Sequence, residues 1–312
     1  MLGASLVRLG RPAEGEALMR AVAEETKAAG NVRARRLALC FLCNYLGEKG
    51  AYEESLAFAE EMHASAASAD EPWIEKAALG AVVRAHTELG HYSKALPLLK
   101  TMWEEREAGF GVDDPKAAEL MYAYADVLRR AKKREEAKQL FPLALERVTK
   151  VLGPMHDVTL TALNNYASLL SQCGDLDGSI ARFRELVQAY EERGRPPTTD
   201  HLVAISNLGL HLTKKGDFES AEPMLRRAAD ASRDLLAPDN VTGIAIRFNH
   251  AVCLARMKRW EEAEPLLLAE YEELDQRLPP KDSFRADAVL SLAEVYEING
   301  QPEQAALWRA KC

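Results

Sequence analysis

Apolar residues recur along this chain at helical rather than alternating spacing. Leu163, Tyr166 and Leu170 are followed, after a Gly-Asp pair, by Phe183 and Leu186. Intervals of three and four residues put such side chains on one face of an α-helix. The polar Gly-Asp between two such runs predicts a turn. The turn and the start of the second run return again and again. GRPAEG ends at Gly15, GAYEES at Ser55, GHYSKA at Ala95, KKREEA at Ala137 and GDLDGS at Ser179, followed by GDFESA at Ala221, KRWEEA at Ala263 and GQPEQA at Ala305. Successive ends are 40, 40, 42, 42, 42, 42 and 42 residues apart. Eight copies at so regular an interval mark a repeat architecture.

Each copy ends on Gly, Ser or Ala. Twelve residues earlier stands another small or modest residue: Gly3, Cys43, Val83, Ala125, Ala167, Gly209, Ala251 or Ala293. Small residues at two such points let antiparallel helices approach to about 8–10 Å. Each unit therefore reads as helix A, turn, helix B. Pro97, Pro223 and Pro265 all lie two residues after an anchor. Proline suits a helix start, where no N–H partner is needed, so helix B should begin just before the anchor. Asp114 before Pro115, Asp157 and Asp200 read as N-caps of three A helices. No strand pattern competes.

The spacing of small residues, with Leu2-Gly3 and Leu208-Gly209 in helix A, resembles the tetratricopeptide repeat (TPR). The usual period is about 34 residues; the longer one here resembles the kinesin-light-chain type. The segment VLGPMHDVTLTALNNYASLLSQCGDLDGSI, from Val151 to Ile180, carries that likeness in its VLGP-x-H-x-x-T loop and LNNxA run, and LLAPDNVT at Leu235–Thr242 repeats the loop loosely. The last stretch, EEAEPLLLAEYEELDQRLPPKDS with AEVYEINGQPEQAALWRAKC, is similar to the TPR tails of bacterial Ser/Thr kinases. The resemblance implies an all-α right-handed superhelix of about eight 40–42-residue helix-turn-helix repeats. It treats residues 1–312 as a single solenoid with one continuous core. With the anchor at repeat position 20, Met1 falls at position 6 and Cys312 at position 27. The first A helix then lacks its opening turn, which fits either a lost upstream domain, a kinase among the candidates, or a degenerate N-terminal cap.

Composition narrows the function classes. Of 312 residues, 40 are basic and 48 acidic, a net charge of −8 that argues against nucleic-acid binding. The longest apolar stretch, Leu37–Cys43, is too short to span a bilayer, and Arg8 and Arg11 interrupt any secretory h-region. Five cysteines form no disulfide framework. A soluble, reduced, cytoplasmic protein without a cofactor is expected. Three fragments imitate kinase motifs. SRDLLAPDN at Ser232–Asn240 has Ser in place of His, GDFES has Glu219 in place of Gly, and GFG at Gly109 lacks a third Gly. Each lies on a repeat turn or junction that already accounts for it. Cys40 and Cys43 form one C-x-x-C, and a zinc site needs four ligands; both read as buried structural thiols. His86 and His250 stand where other repeats are apolar and read as satisfied core histidines. His156 reads as a brace for its turn. No catalytic residue or metal site is expected.

What remains is a surface. In a TPR superhelix the A helices line the concave groove, and positions 2, 6, 9 and 13 share one face. Position 6 holds Asn165, Asn207 and Asn249, but Ala81 and Ala123 in earlier repeats. An Asn amide both donates and accepts, so it suits the backbone of an extended peptide. The resemblance implies such a clamp; the alternative is that these Asn tie adjacent repeats together. Position 13 holds Arg130, Lys214 and Arg256, while position 9 adds Arg84, Asp126 and Ser168. These cations favour an acidic ligand, or else serve helix C-termini, and Arg84 and Asp126 could pair with each other. The expected function is a non-catalytic protein- or peptide-binding module, a scaffold or sensor in bacterial signalling. A pheromone-type peptide sensor that changes curvature, and a homo-oligomeric scaffold, are the alternatives.

Overall fold

The computed structural model describes residues 2–66, 72–194, 196–279 and 282–311. Met1 and Cys312, on which the placement of the chain ends in the repeat rests, lie outside the described residues. Two compact units are present, one ending at Val151 and the other beginning at Leu152.

The described residues form sixteen α-helices and no strand. In the first unit the hairpins are α1 (Leu2–Arg8) with α2 (Pro12–Ala28), α3 (Val32–Lys49) with α4 (Tyr52–Ala66), α5 (Pro72–Glu88) with α6 (Tyr92–Phe110), and α7 (Pro115–Arg130) with α8 (Arg134–Leu152), whose last residue crosses into the second unit. In the second they are α9 (Asp157–Gln172) with α10 (Leu176–Glu192), α11 (Thr199–Lys215) with α12 (Phe218–Leu235), α13 (Val241–Arg256) with α14 (Trp260–Arg277), and α15 (Ser283–Ile298) with α16 (Pro302–Arg309).

Small residues hold each hairpin closed. Ala95, Ala137, Ser179, Ala221, Ala263 and Ala305 have no exposed surface, and Ala125, Ala167 and Ala251 twelve residues before three of them have none either. In repeat 2 the two positions are also hydrogen-bonded, Ser55 Oγ donating to the Cys43 carbonyl at 3.1 Å. The turn has its own requirement. The second residue before each B helix takes a left-handed backbone, and glycine supplies it in six repeats, for example Gly50 (φ 81°) and Gly216 (φ 86°). Lys132 (φ 60°) and Lys258 (φ 63°) occupy the same place in the KKREEA and KRWEEA repeats. A side chain there costs about 1–2 kcal/mol.

Two local expectations are corrected. Asp114 does cap α7, accepting from the Ala117 N–H at 2.8 Å. But α9 is capped by His156, whose Nδ1 accepts from the Val158 N–H, and α11 by Thr198. Asp157 and Asp200 sit in the first turns, where their charge suits the helix N-terminus. The B helices start three residues before their anchors. This places Pro97, Pro223 and Pro265 at the sixth helical residue, beyond the four free N–H groups, so each removes one helical hydrogen bond.

The core of the second unit ends in an aromatic cluster. Tyr271 meets Trp308 edge-on at 4.8 Å between centroids, and Trp260 meets Tyr296 edge-on at 5.0 Å. Around them Leu267, Leu274 and Leu292 are fully buried.

Candidate functional site

The A helices carry the candidate residues, one set in each unit. In the second unit Asn165, Asn207 and Asn249 are all half-buried, at equivalent points of α9, α11 and α13. Asn249 Nδ2 donates to Ser206 Oγ of the preceding A helix at 3.0 Å. Asn207 Nδ2 reaches Asn164 Oδ1 at 3.5 Å, and Asn164 Nδ2 donates to Asn165 Oδ1 at 3.3 Å. Ser168 Oγ donates to the Asn164 carbonyl. Asn207 and Asn249 are thus tied to the position-5 residue of the preceding repeat, and Asn165 to that of its own, a partner that position 6 alone does not reveal. Asn207 and Asn249 also share the wall of a cavity of about 360 Å³. Val203, Ala245 and Ile246 give it an apolar lining, and Leu278, Asp282 and Phe284 close it at the approach to α15. Asp282 is committed to capping α15, accepting from the N–H groups of Phe284 and Arg285.

The position-13 cations differ in what they hold. Arg256 pairs with Glu294 on the next A helix at 2.5 Å. Arg130, in the first unit, is locked to Glu88 by two hydrogen bonds of 2.7 and 2.9 Å. That fork holds the Glu88 carboxyl below its usual range, against the opposing effect of partial burial. Lys214 is exposed and makes no ion pair among the described residues. Its charge acts on Asp287 of α15, whose carboxyl is pushed above the usual range by its protein surroundings and drawn back by Lys214.

In the first unit Arg84 and Asp126 do not take each other as partners. Arg84 donates to Asn44 Oδ1 on α3 at 2.8 Å, and Asp126 pairs with Arg129 on its own helix at 2.8 Å. Both still line a second cavity, of about 530 Å³, between α3, α5 and α7. Cys40 opens onto this cavity and is only half-buried, contrary to the expectation of two buried thiols; Cys43 is 1% exposed. Burial raises the Cys40 thiol, and pushes Cys43 to about 12, so neither is a thiolate at neutral pH.

His86 is buried and His250 half-buried, but neither ring is fully satisfied. His86 is 4% exposed, and its buried Nδ1 has no hydrogen-bond partner. His250 Nε2 lies 3.5 Å from Glu222 Oε1, too far for a good hydrogen bond. Burial lowers the proton affinity of both rings. Among the described residues no His, Cys, Asp and Glu cluster could hold a metal, and no helix is long and apolar enough to cross a membrane.

The family model for the tetratricopeptide repeat matches residues 116–192 and 200–272. No curated protein matches the chain. Among solved structures, a Rap protein complexed with competence and sporulation factor is 14% identical with a TM-score of 0.66, over 88% of this chain and 74% of that one. The apo form of the quorum sensor NprR from B. thuringiensis is 12% identical with a TM-score of 0.62, over 99% of this chain and 94% of that one. A kinesin light chain of nearly identical TPR-like repeats from P. anserina is 15% identical with a TM-score of 0.56, over 64% and 96%. At such identities the likeness is one of fold. The paired helices, their sealed anchors and the matched repeats agree, and the chain is a tetratricopeptide-repeat solenoid with kinesin-light-chain-type proteins among its structural neighbours.

Proposed function

We propose that the protein is a non-catalytic interaction module that takes an extended peptide segment of a partner along the A helices of its second unit. The observation that carries this reading is the cavity whose wall bears both Asn207 and Asn249 beside apolar residues. One ligand side chain fits the cavity, while amides already oriented by Ser206 and Asn164 meet the peptide backbone. Oriented donors and acceptors lose little entropy when a ligand arrives. The clamp and the tie between repeats are then one device, because the bond that joins the helices also aims the amide.

A preference for acidic side chains rests in this unit on Lys214, since Arg256 already holds Glu294. Selection of a random extended-peptide library on the whole protein tests the reading, with Asn165, Asn207 and Asn249 all changed to Ala as the counter-selection. Enrichment confined to the unsubstituted protein is expected. Equal enrichment on the triple variant, with helicity retained, would leave the Asn row a purely structural tie. A second reading, a sensor whose curvature changes on binding, draws on the likeness to a Rap complex and to the quorum sensor NprR. It predicts compaction in solution scattering when a selected peptide is added.

A further inference from the structure

The cavity in the first unit has a different lining. Three small residues on one face of α5, Ala77, Gly80 and Ala81, open it between the A helices. A Cβ placed on Gly80 would meet nothing within 4 Å, so the glycine faces empty space. Its floor joins Val83 and Val127 of the A helices to side chains of the B helices. Met62 from α4, with no exposed surface, and Leu99 and Met102 from α6 line it. Methionine side chains make such a floor adaptable in shape.

The polar atoms at its rim are cationic in excess. Glu88 is neutralised by Arg130, and Asp126 is paired with Arg129. Lys76 and Arg84 remain. Lys76 is exposed and makes no ion pair among the described residues. Arg84 has a neutral partner, Asn44, which leaves most of its five N–H donors for something else. Arg84 lies against α3, where a Cβ on Gly47 would come 3.4 Å from the guanidinium carbon, an ordinary contact. The two cations stand eight residues apart on α5, about 12 Å along the axis, with the small residues between them.

The backbone-gripping amides are missing here. Position 6 is Phe41, Ala81 or Ala123 in these repeats, and Asn44 is occupied by Arg84. A ligand held through a peptide backbone has little to bond. A ligand with an apolar chain and one anionic end has both a pit and a guanidinium. We propose that this cavity binds a small amphipathic carboxylate, a linear aliphatic chain in the pit with its carboxylate on Arg84, independently of the peptide site in the second unit.

The test is calorimetric titration of the full chain with decanoate, with decanol and decylammonium as charge controls and acetyl-Ala-Leu-Glu-Ala-amide as the peptide arm. Two variants separate the parts of the site. Gly80→Leu fills the pit without meeting any neighbour at its Cβ, and Arg84→Gln removes the charge. Decanoate should bind, and decanol and decylammonium at least tenfold more weakly. Gly80→Leu should abolish binding, and Arg84→Gln should weaken decanoate at least tenfold while leaving decanol unchanged. The proposal is overturned if decanoate does not bind, if it binds Gly80→Leu as well as the unsubstituted protein, if decylammonium binds equally, or if only the peptide binds. The triple Asn→Ala variant should keep decanoate affinity, so failure of either site is read separately.

Discussion

The same substitution, glycine to alanine inside an A helix, should have opposite effects at two places. At both Gly80 and Gly209 alanine recovers about 1 kcal/mol of helix propensity, because the unfolded chain loses freedom and the helix gains a better former. At Gly80 nothing opposes this, since the new Cβ faces the open cavity. Gly209 faces the partner helix instead. A Cβ there would lie 2.4 Å from Leu225 Cγ and 2.7 Å from its Cδ2. Leu225 has no exposed surface, so it must retreat by about 1 Å within a packed core. Overpacking of this kind costs about 1–3 kcal/mol. Gly80→Ala should therefore stabilise by about 1 kcal/mol, and Gly209→Ala should be neutral or destabilise by up to about 2 kcal/mol. Repeat proteins need not unfold in one step. The measurement is thus hydrogen exchange resolved to individual helices, supported by urea unfolding followed by circular dichroism. Faster exchange in α11 and α12 for Gly209→Ala, beside slower exchange in α5 for Gly80→Ala, is the expected pair. Equal stabilisation by both changes would refute the argument that contact between α11 and α12 requires glycine.

Three further outcomes are expected. Lys132→Gly and Lys258→Gly, at turns where lysine holds a left-handed backbone, should each raise stability by about 1 kcal/mol in denaturant unfolding; no gain would mean the lysine side chains contribute elsewhere. Asn249→Ala deletes the bond to Ser206 and should cost about 0.5–1.5 kcal/mol, read as faster exchange in α11 and α13. His86, His201, His211 and His250 are held below the ordinary imidazole range, burial being the largest cause in each. Because the unfolded chain binds these protons more readily, the stability they contribute is complete above about pH 6.5 and declines as pH falls below it. The thermal midpoint should therefore drop between pH 7.5 and 5.5, and replacing His211 by Gln should flatten that drop.

What the sequence revealed and what it hid follow from how far each feature reaches along the chain. The repeat was plain because every hairpin needs two small residues at a fixed interval, and Ala167 with Ser179 or Ala251 with Ala263 supply them without regard to neighbours. The ends of helices were read less well. At α9 and α11 Asp157 and Asp200 fit the cap pattern, yet a His or Thr one or two residues earlier does the capping, since any short acceptor serves there and Asp is welcome in the first turn too. The contacts between repeats were hidden for a different reason. Asn44 with Arg84, Glu88 with Arg130, and Arg256 with Glu294 are 40, 42 and 38 residues apart. Their signal is complementarity about one period away, which a reading of one repeat position at a time does not test.

The same repeat position also differs between the two units. A row of amides at position 6 begins at Asn165 and continues through Asn207 and Asn249, and before it the same position is apolar. Where the amides stand, the cavity is about 360 Å³ and its Asn side chains are braced by position 5. Where they are absent, small residues open a larger pit and a guanidinium lies at its rim. The two proposals therefore meet at position 6, where Asn207 and Asn249 line one cavity and Ala81 and Ala123 line the other. Placing Asn at Ala81 and Ala123 together should then narrow the first cavity and reduce decanoate binding, without loss of helicity. Unchanged decanoate affinity in that double variant would show that position 6 does not govern the pit, and that its opening depends on Gly80 alone.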